Sequence, residues 1–272
     1  MIHAIQPAHK RYDTRLYCNL VYDSPASECA AVCPLHLHLI RPRGLPGECF
    51  PLLIHIGGGG WRVSSPERHL PELTHFAEQG YVVASVEYRT TAVNRFPAQI
   101  ADVRTAIRYL RANSSQFAIC PSRVFAIGES AGAYLAAMAA LTSGSDMYRG
   151  SAYTEQSDAL NGAICLYGIY DFEQLSAEEP ASLPVRLFLP DIRPDALRAA
   201  SPITYVRAET PFLLLHGTGD TLVSSHQSVL FHDALTAAGA DAQLYLVDNA
   251  NHADTVFSQP DVQKIISDFL SK

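Results

Sequence analysis

The sequence predicts an α/β fold, an open and mostly parallel sheet with helices on both faces. Three observations predict it. Apolar runs of strand length alternate with longer segments of helical period, so successive strands need crossovers and run parallel. Glycine-rich turns directly follow several of these runs, at the carboxyl ends where such sheets hold their ligands. The 272 residues, 48% of them hydrophobic, suffice for one substantial core, so a single domain is expected.

Each element can be justified in order. LHLHLI (35–40) alternates with period two, as a half-exposed strand does. LLIHI (52–56), YVVASVEY (81–88), RVFAIG (123–128), AICLYG (163–168), FLLLHG (212–217) and QLYLV (243–247) are continuous apolar runs suited to buried strands. The clearest helix runs from Pro97 to about Asn113, with Ile100, Val103, Ile107 and Leu110 on one face and Pro97 in the first turn. Further helices are expected over 66–79, 131–142, 224–238 and 260–270. Between Asp171 and Pro211 there is no strand signal. Pro180, Pro184, Pro190, Pro194 and Pro202 and the stretch DALRAA, which suits a short helix, mark this segment (171–211) as a lid-like insertion. Residues 1–34 carry no assigned element and are a second candidate cover for the pocket.

Composition excludes several classes. Twenty basic residues against 27 acidic ones leave a formal charge of −7 without a Lys/Arg cluster, so no nucleic-acid partner is expected and a small molecule fits better. No run approaches the ~18–20 apolar residues of a membrane span. The opening MIHAIQPAHKRYDTRLY lacks the apolar centre of a signal peptide, so no membrane partner and a cytoplasmic location are expected. Cys18, Cys29, Cys33, Cys49, Cys120 and Cys165 are accordingly read as reduced thiols. His36 and His38 share a strand face near Cys33, but no third or fourth ligand follows at a recognisable spacing, and no metal or organic cofactor is expected. Oligomeric state is left open.

The chemistry begins at RVFAIGESAGAYLAAMAAL (123–141), a strand, an abrupt turn and an alanine-rich helix with GESAG at the turn. The GxSxG pattern in this setting lifts the Ser130 hydroxyl clear of the sheet at a helix N-terminus, where amides and dipole favour negative charge. A serine hydroxyl needs a base and a group to orient that base. Asp220, beyond the strand in HGTGD, and His252, in the late loop DNANHAD, supply them in the order Ser, Asp, His used by sheets of this type. Asp171, in GIYDF, is the rival acid, and Glu129 is read as a neighbour whose side chain points away from the reacting centre. Asp102 is read as a structural partner of Arg104 or Arg89.

Attack on a carbonyl creates an oxyanion, which needs donors already in place. HIGGGGWR (55–62) offers bare backbone amides directly after a strand, and Ala131 offers the amide after the nucleophile. The run lacks the Lys and Ser/Thr of a P-loop and the spacing of a dinucleotide turn. Trp61 either walls the substrate pocket or packs under the loop.

HIGGGGW, GESAG, HGTGDTLV and NHAD, in this order, resemble the α/β-hydrolase superfamily, and within it the small HGGGW-type serine esterases that include acetyl, acetyl-xylan and feruloyl esterases. The resemblance covers most of the chain from about residue 35, including EYR (87–89), FPAQIADVRTAIRYLRAN (96–113) and SPITYV (201–206). It implies that Gly59 and Gly60 donate to the oxyanion with Ala131, ahead of Gly58, and that the substrate is a short-chain ester, acetyl first. Aligned on Trp61, the HGGGW histidine, which braces the loop in such proteins, falls on Gly57, with His55 two residues earlier. An amidase of the same fold, such as a kynurenine formamidase, and a non-catalytic binding protein on this scaffold are the alternatives.

Overall fold

Backbone pairing joins eight strands in one sheet among the described residues, which in the computed structural model are 11–28, 32–175 and 181–272. The strands are β1 (Thr14–Asp23), β2 (Leu35–Pro42), β3 (Phe50–Ile56), β4 (Val82–Val86), β5 (Ile119–Glu129), β6 (Gly162–Leu166), β7 (Phe212–Gly217) and β8 (Ala242–Val247). They lie side by side as β1-β2-β4-β3-β5-β6-β7-β8. β2 runs antiparallel to both β1 and β4, and every pairing from β4 to β8 is parallel. The helices are α1 (Leu70–Glu78), α2 (Ala98–Ala112), the single turn α3 (Ser114–Phe117), α4 (Ala131–Thr142), α5 (Ser182–Phe188), α6 (Pro194–Ala200), α7 (His226–Ala237) and α8 (Pro260–Leu270).

Strand alternation builds two cores. Leu52, Ile54 and Ile56 of β3, Val124 and Ala126 of β5, and Phe212 and Leu214 of β7 face one side with α2, α4 and α7. Leu53, Phe125, Ile127, Leu213 and Leu215 face the other, where α1 and α8 contribute Leu73, Phe76, Ile266 and Phe269. Every residue of α4 is buried, which its six alanines permit by letting the helix sit close to the sheet.

Two expectations are corrected here. The N-terminal stretch holds a strand: β1 forms the sheet edge and so does not cover the pocket, while residues 1–10 and 29–31 lie outside the described residues. The thiols are not all reduced, because Cys49 and Cys120 form a disulfide with Cα atoms 5.2 Å apart. Pairing of Phe50 with Ile119 across β3 and β5 brings these neighbours together although 71 positions separate them. Cys18, Cys33 and Cys165 are free, and Cys29 lies outside the described residues.

Residues 171–211 form no strand among the described residues. They fold as α5, α6 and two short 3-10 turns, with DALRAA inside α6; Pro180 lies outside the described residues. No helix among the described residues is long and apolar enough to cross a membrane.

Candidate active site

Five parallel strands deliver the site at their carboxyl ends. The glycine run follows β3, Ser130 follows β5, Tyr167 follows β6, Asp220 follows β7 and His252 follows β8.

The turn at Ser130 depends on close backbone approach. A Cβ at Gly128 would collide with the Gly132 carbonyl, and one at Gly132 with the Ile56 carbonyl, so only glycine fits on either side. Ser130 itself takes φ 52°, ψ −119°, a strained conformation held by its amide's bond to Leu166 O at 2.8 Å. The reward is a hydroxyl at the N-terminus of α4.

The structure brings Ser130, His252 and Asp220 together. His252 Nε2 lies 2.9 Å from Ser130 Oγ, and His252 Nδ1 lies 2.7 Å from Asp220 Oδ2. With Nδ1–H donating to the carboxylate, Nε2 is left to accept the serine proton. The Asp220 side chain is fully buried and the His252 ring 13% exposed, so the pair meets little solvent competition. Burial alone would raise the Asp220 carboxyl. The hydrogen bonds from His216 and His252 and from the Val223 amide outweigh it and hold the group well below the usual carboxylate range. Asn251 Oδ1 accepts from the amides of Thr221 and His252, at 3.1 and 2.7 Å, and so stitches the two loops together. Asp171, the rival acid, instead caps a 3-10 turn by accepting from Glu173 N.

The glycine run lies against the serine. A Cβ on Gly58 would stand 2.9 Å from Glu129 O and 3.2 Å from Ser130 Cβ, and Gly59 and Gly60 take φ of +138° and +58°. The amides of Gly59, Gly60 and Ala131 have no protein acceptor among the described residues. The Tyr88 hydroxyl donates to Gly57 O at 2.9 Å, on the residue where the HGGGW histidine was expected to fall. Asp102 pairs with Arg89 at 2.6 Å, while Arg104 goes to Asp158. Trp61 does not wall the pocket. It is 1% exposed, stacked on Phe188 at 4.2 Å and edge-on to Tyr134, because α5 closes over it.

Sequence reasoning missed two supports. His216 is a second imidazole on Asp220, and its only local signal is the HGTGD spacing that places both on one turn. Glu129 does turn from the hydroxyl, but into an ion pair with His69 Nε2 at 2.7 Å and a 2.7 Å bond from Tyr167 OH. Burial would raise Glu129; the His69 hydrogen bond and nearby imidazoles reverse this and lower it to about 2. His69 is raised by the same bond, and burial lowers His55 to about 4. The Tyr167 ring in turn meets the His252 ring edge-on at 4.8 Å.

These groups border a cleft of about 600 Å³ that runs from Ser130 and Pro184 toward Phe76 and Ile266. Among the described residues, one cluster has the donors for a metal ion: His55, His69 and Glu129. His36 instead pairs with Glu87 and His38 accepts from Asn19 N.

Fold and site together define the class: an α/β-hydrolase with a serine, histidine and aspartate aligned at the carboxyl edge of its sheet. The chain belongs to the BD-FAE family, whose profile matches residues 37–235. It is 35% identical over 243 residues to Esterase LipQ of Mycobacterium tuberculosis, covering 85% of this chain and 57% of that protein. Among solved structures it is similar to a truncated carbohydrate esterase from gut microbiota, with TM-score 0.79, 24% identity, and coverage of 97% of this chain and 98% of that one. It is also similar to the propionate-bound thermophilic esterase Est2 of the Planctomycetes species Thermogutta terrifontis, with TM-score 0.76, 25% identity, and coverage of 97% and 95%. The chain spans about half the length of the curated relatives it matches, 57%, 47% and 54% for LipQ, LipM and LipC.

Proposed function

We propose that this protein is a serine carboxylic-ester hydrolase that acts on short-chain acyl esters, acetyl above all, through an acyl-enzyme. The observation that carries the reading is the unbroken line from Ser130 Oγ through His252 to Asp220, with contacts of 2.9 and 2.7 Å. His252 takes the hydroxyl proton as Ser130 attacks the ester carbonyl, and the displaced electron pair settles on the carbonyl oxygen. The amides of Gly59, Gly60 and Ala131 receive that oxyanion. Collapse expels the alcohol, which leaves with the proton from His252. Water then gives its proton to His252 and attacks the acyl group, releasing the acid and restoring Ser130.

Similarity to LipQ, named an esterase, supports the ester class. The cleft adds detail: about 600 Å³ lies in the ~300–1,000 Å³ range of sites that enclose drug-sized molecules. An acetyl group fills little of that, so the remaining space suits a larger alcohol. One sheet running from residue 14 to 247 supports reading this stretch as one hydrolase domain with α5 and α6 as its lid-like cover.

The Cys49–Cys120 bridge bears on location, because disulfides persist chiefly in oxidising compartments. It favours such a setting over the cytoplasmic one expected from the sequence.

The test is a chain-length series of nitrophenyl esters with N-formylkynurenine as comparator. Turnover concentrated at two to four acyl carbons supports the reading. A preference for the formamide moves the protein to the amidases, and no turnover of either leaves only a binding protein.

A further inference from the structure

We propose that His55, His69 and Glu129 form a binding site for a divalent transition-metal ion of the zinc type, beside the reacting centre but separate from its serine and histidine. The three come from different elements: His55 from β3, His69 from the residue before α1, and Glu129 from the end of β5. Their ligand atoms lie within 4.8 Å of one another. Two imidazoles and a carboxylate with one position open to a cleft is a donor set that zinc accepts in tetrahedral geometry.

Bonds of ~2.0–2.1 Å in a tetrahedron place ligand atoms about 3.3 Å apart. The 2.7 Å edge between His69 and Glu129 therefore opens and the longer edges close. His69, with its side chain 25% exposed, has room to make that adjustment. The supports that metal ligands ordinarily need are present. Ser85 Oγ lies 3.0 Å from His55 Nδ1, which leaves Nε2 without a hydrogen-bond partner among the described residues, and Tyr167 OH holds Glu129 Oε2 at 2.7 Å. All three residues line the cleft, which gives an ion its path in.

Glu129 precedes Ser130 and lies 3.4 Å from the Gly58 amide. An ion seated here draws the carboxylate from the glycine loop and inhibits. That consequence rests on the hydrolase reading; the binding does not.

The experiment titrates Zn²⁺ into the metal-free protein of residues 1–272 by calorimetry, for wild type, His69→Ala, Glu129→Gln and His252→Ala. One ion per chain is expected, with affinity weakened by more than about tenfold in the first two variants and unchanged in His252→Ala. Absence of binding to wild type, equal binding in His69→Ala and Glu129→Gln, or loss in His252→Ala would each overturn the site. Co²⁺ on the wild type gives a measurement independent of any variant: an intense four-coordinate visible spectrum is expected, and a weak six-coordinate one contradicts the geometry. Esterase assays without zinc test the hydrolase reading separately.

Discussion

Asp220 holds His216 on the same oxygen that holds His252: Oδ2 lies 3.2 Å from His216 Nε2 and 2.7 Å from His252 Nδ1. The other oxygen accepts from the Leu222 and Val223 amides, both at 2.9 Å. His216 is fully buried and accepts the Ser228 hydroxyl at Nδ1 (2.7 Å), so its Nε2–H points at Asp220 and at Val223 O (3.0 Å). His216→Leu leaves the Ser228 hydroxyl and Val223 carbonyl unpaired. We expect it to cost about 3 kcal/mol in denaturant unfolding, and to lower kcat with KM nearly constant as the carboxylate loosens. Asp220→Asn, which removes the charge facing His252, should cost far more, on the order of 10⁴ in kcat. A His216→Leu protein as stable and active as wild type would show that the second imidazole is idle.

The glycine loop makes a separate demand. A Cβ at Gly59 would stand 2.5 Å from Val63 O, on a residue whose φ is +138°. Gly59→Ala must shift the loop and misplace a donor, a loss on the order of 10²–10³ in kcat. Tyr88→Phe removes the hydroxyl that donates to Gly57 O at 2.9 Å and lies 3.4 Å from Val63 O, and should cost about 1 kcal/mol of stability. Steady-state kinetics and thermal melts check the pair, and full turnover by Gly59→Ala would move the oxyanion site elsewhere.

Away from the cleft, Asp158 anchors Arg104 and Arg108 at 2.7 and 3.1 Å and accepts from Gly144 N at 2.9 Å. Burial alone would raise this carboxyl, but the Gly144 amide and the two guanidinium groups hold it below its ordinary 3.8. A depressed folded value means the stabilisation is complete above that ordinary pKa and is lost as pH falls through the folded one. Asp158→Asn should therefore cost about 3 kcal/mol at neutral pH, by leaving two buried guanidinium groups without the carboxylate that neutralises them. Its unfolding free energy should also vary less than wild type's below about pH 4. Parallel pH profiles for the two proteins would contradict this account of the carboxyl.

The Cys49–Cys120 bridge closes a loop of 71 positions, which restricts the unfolded chain. Replacing both cysteines by serine should cost about 2–4 kcal/mol. Alkylation of the native protein followed by mass spectrometry should find this pair protected, and labelling at Cys49 would show the thiols free.

Much of the fold was legible because its signals are local. Helix α8 begins at Pro260, where its expected range begins, α4 begins inside GESAG at Ala131, and the buried strands are continuous apolar runs. β1 was not legible for an equally local reason. Its register slips between Tyr17 and Leu20, with Asn19 at φ 54°, and much of its surface is exposed, so period-two alternation breaks midway. The antiparallel placement of β2 has no local signature. At the site, Ser130, Asp220 and His252 could be read from their positions after strands, and the structure brings them into contact. His69 with Glu129, Tyr88 under the glycine loop and the burial of Trp61 beneath Phe188 could not, since each depends on elements that meet only in the folded chain.

The most direct measurement is the intact mass and peptide map of the protein after a diethyl phosphoryl organophosphate. A serine activated by His252 should carry one phosphoryl group at Ser130, with ester turnover lost in step, and Ser130→Ala should take up none. An adduct on another residue, or ester turnover by Ser130→Ala at the wild-type rate, would contradict the assignment.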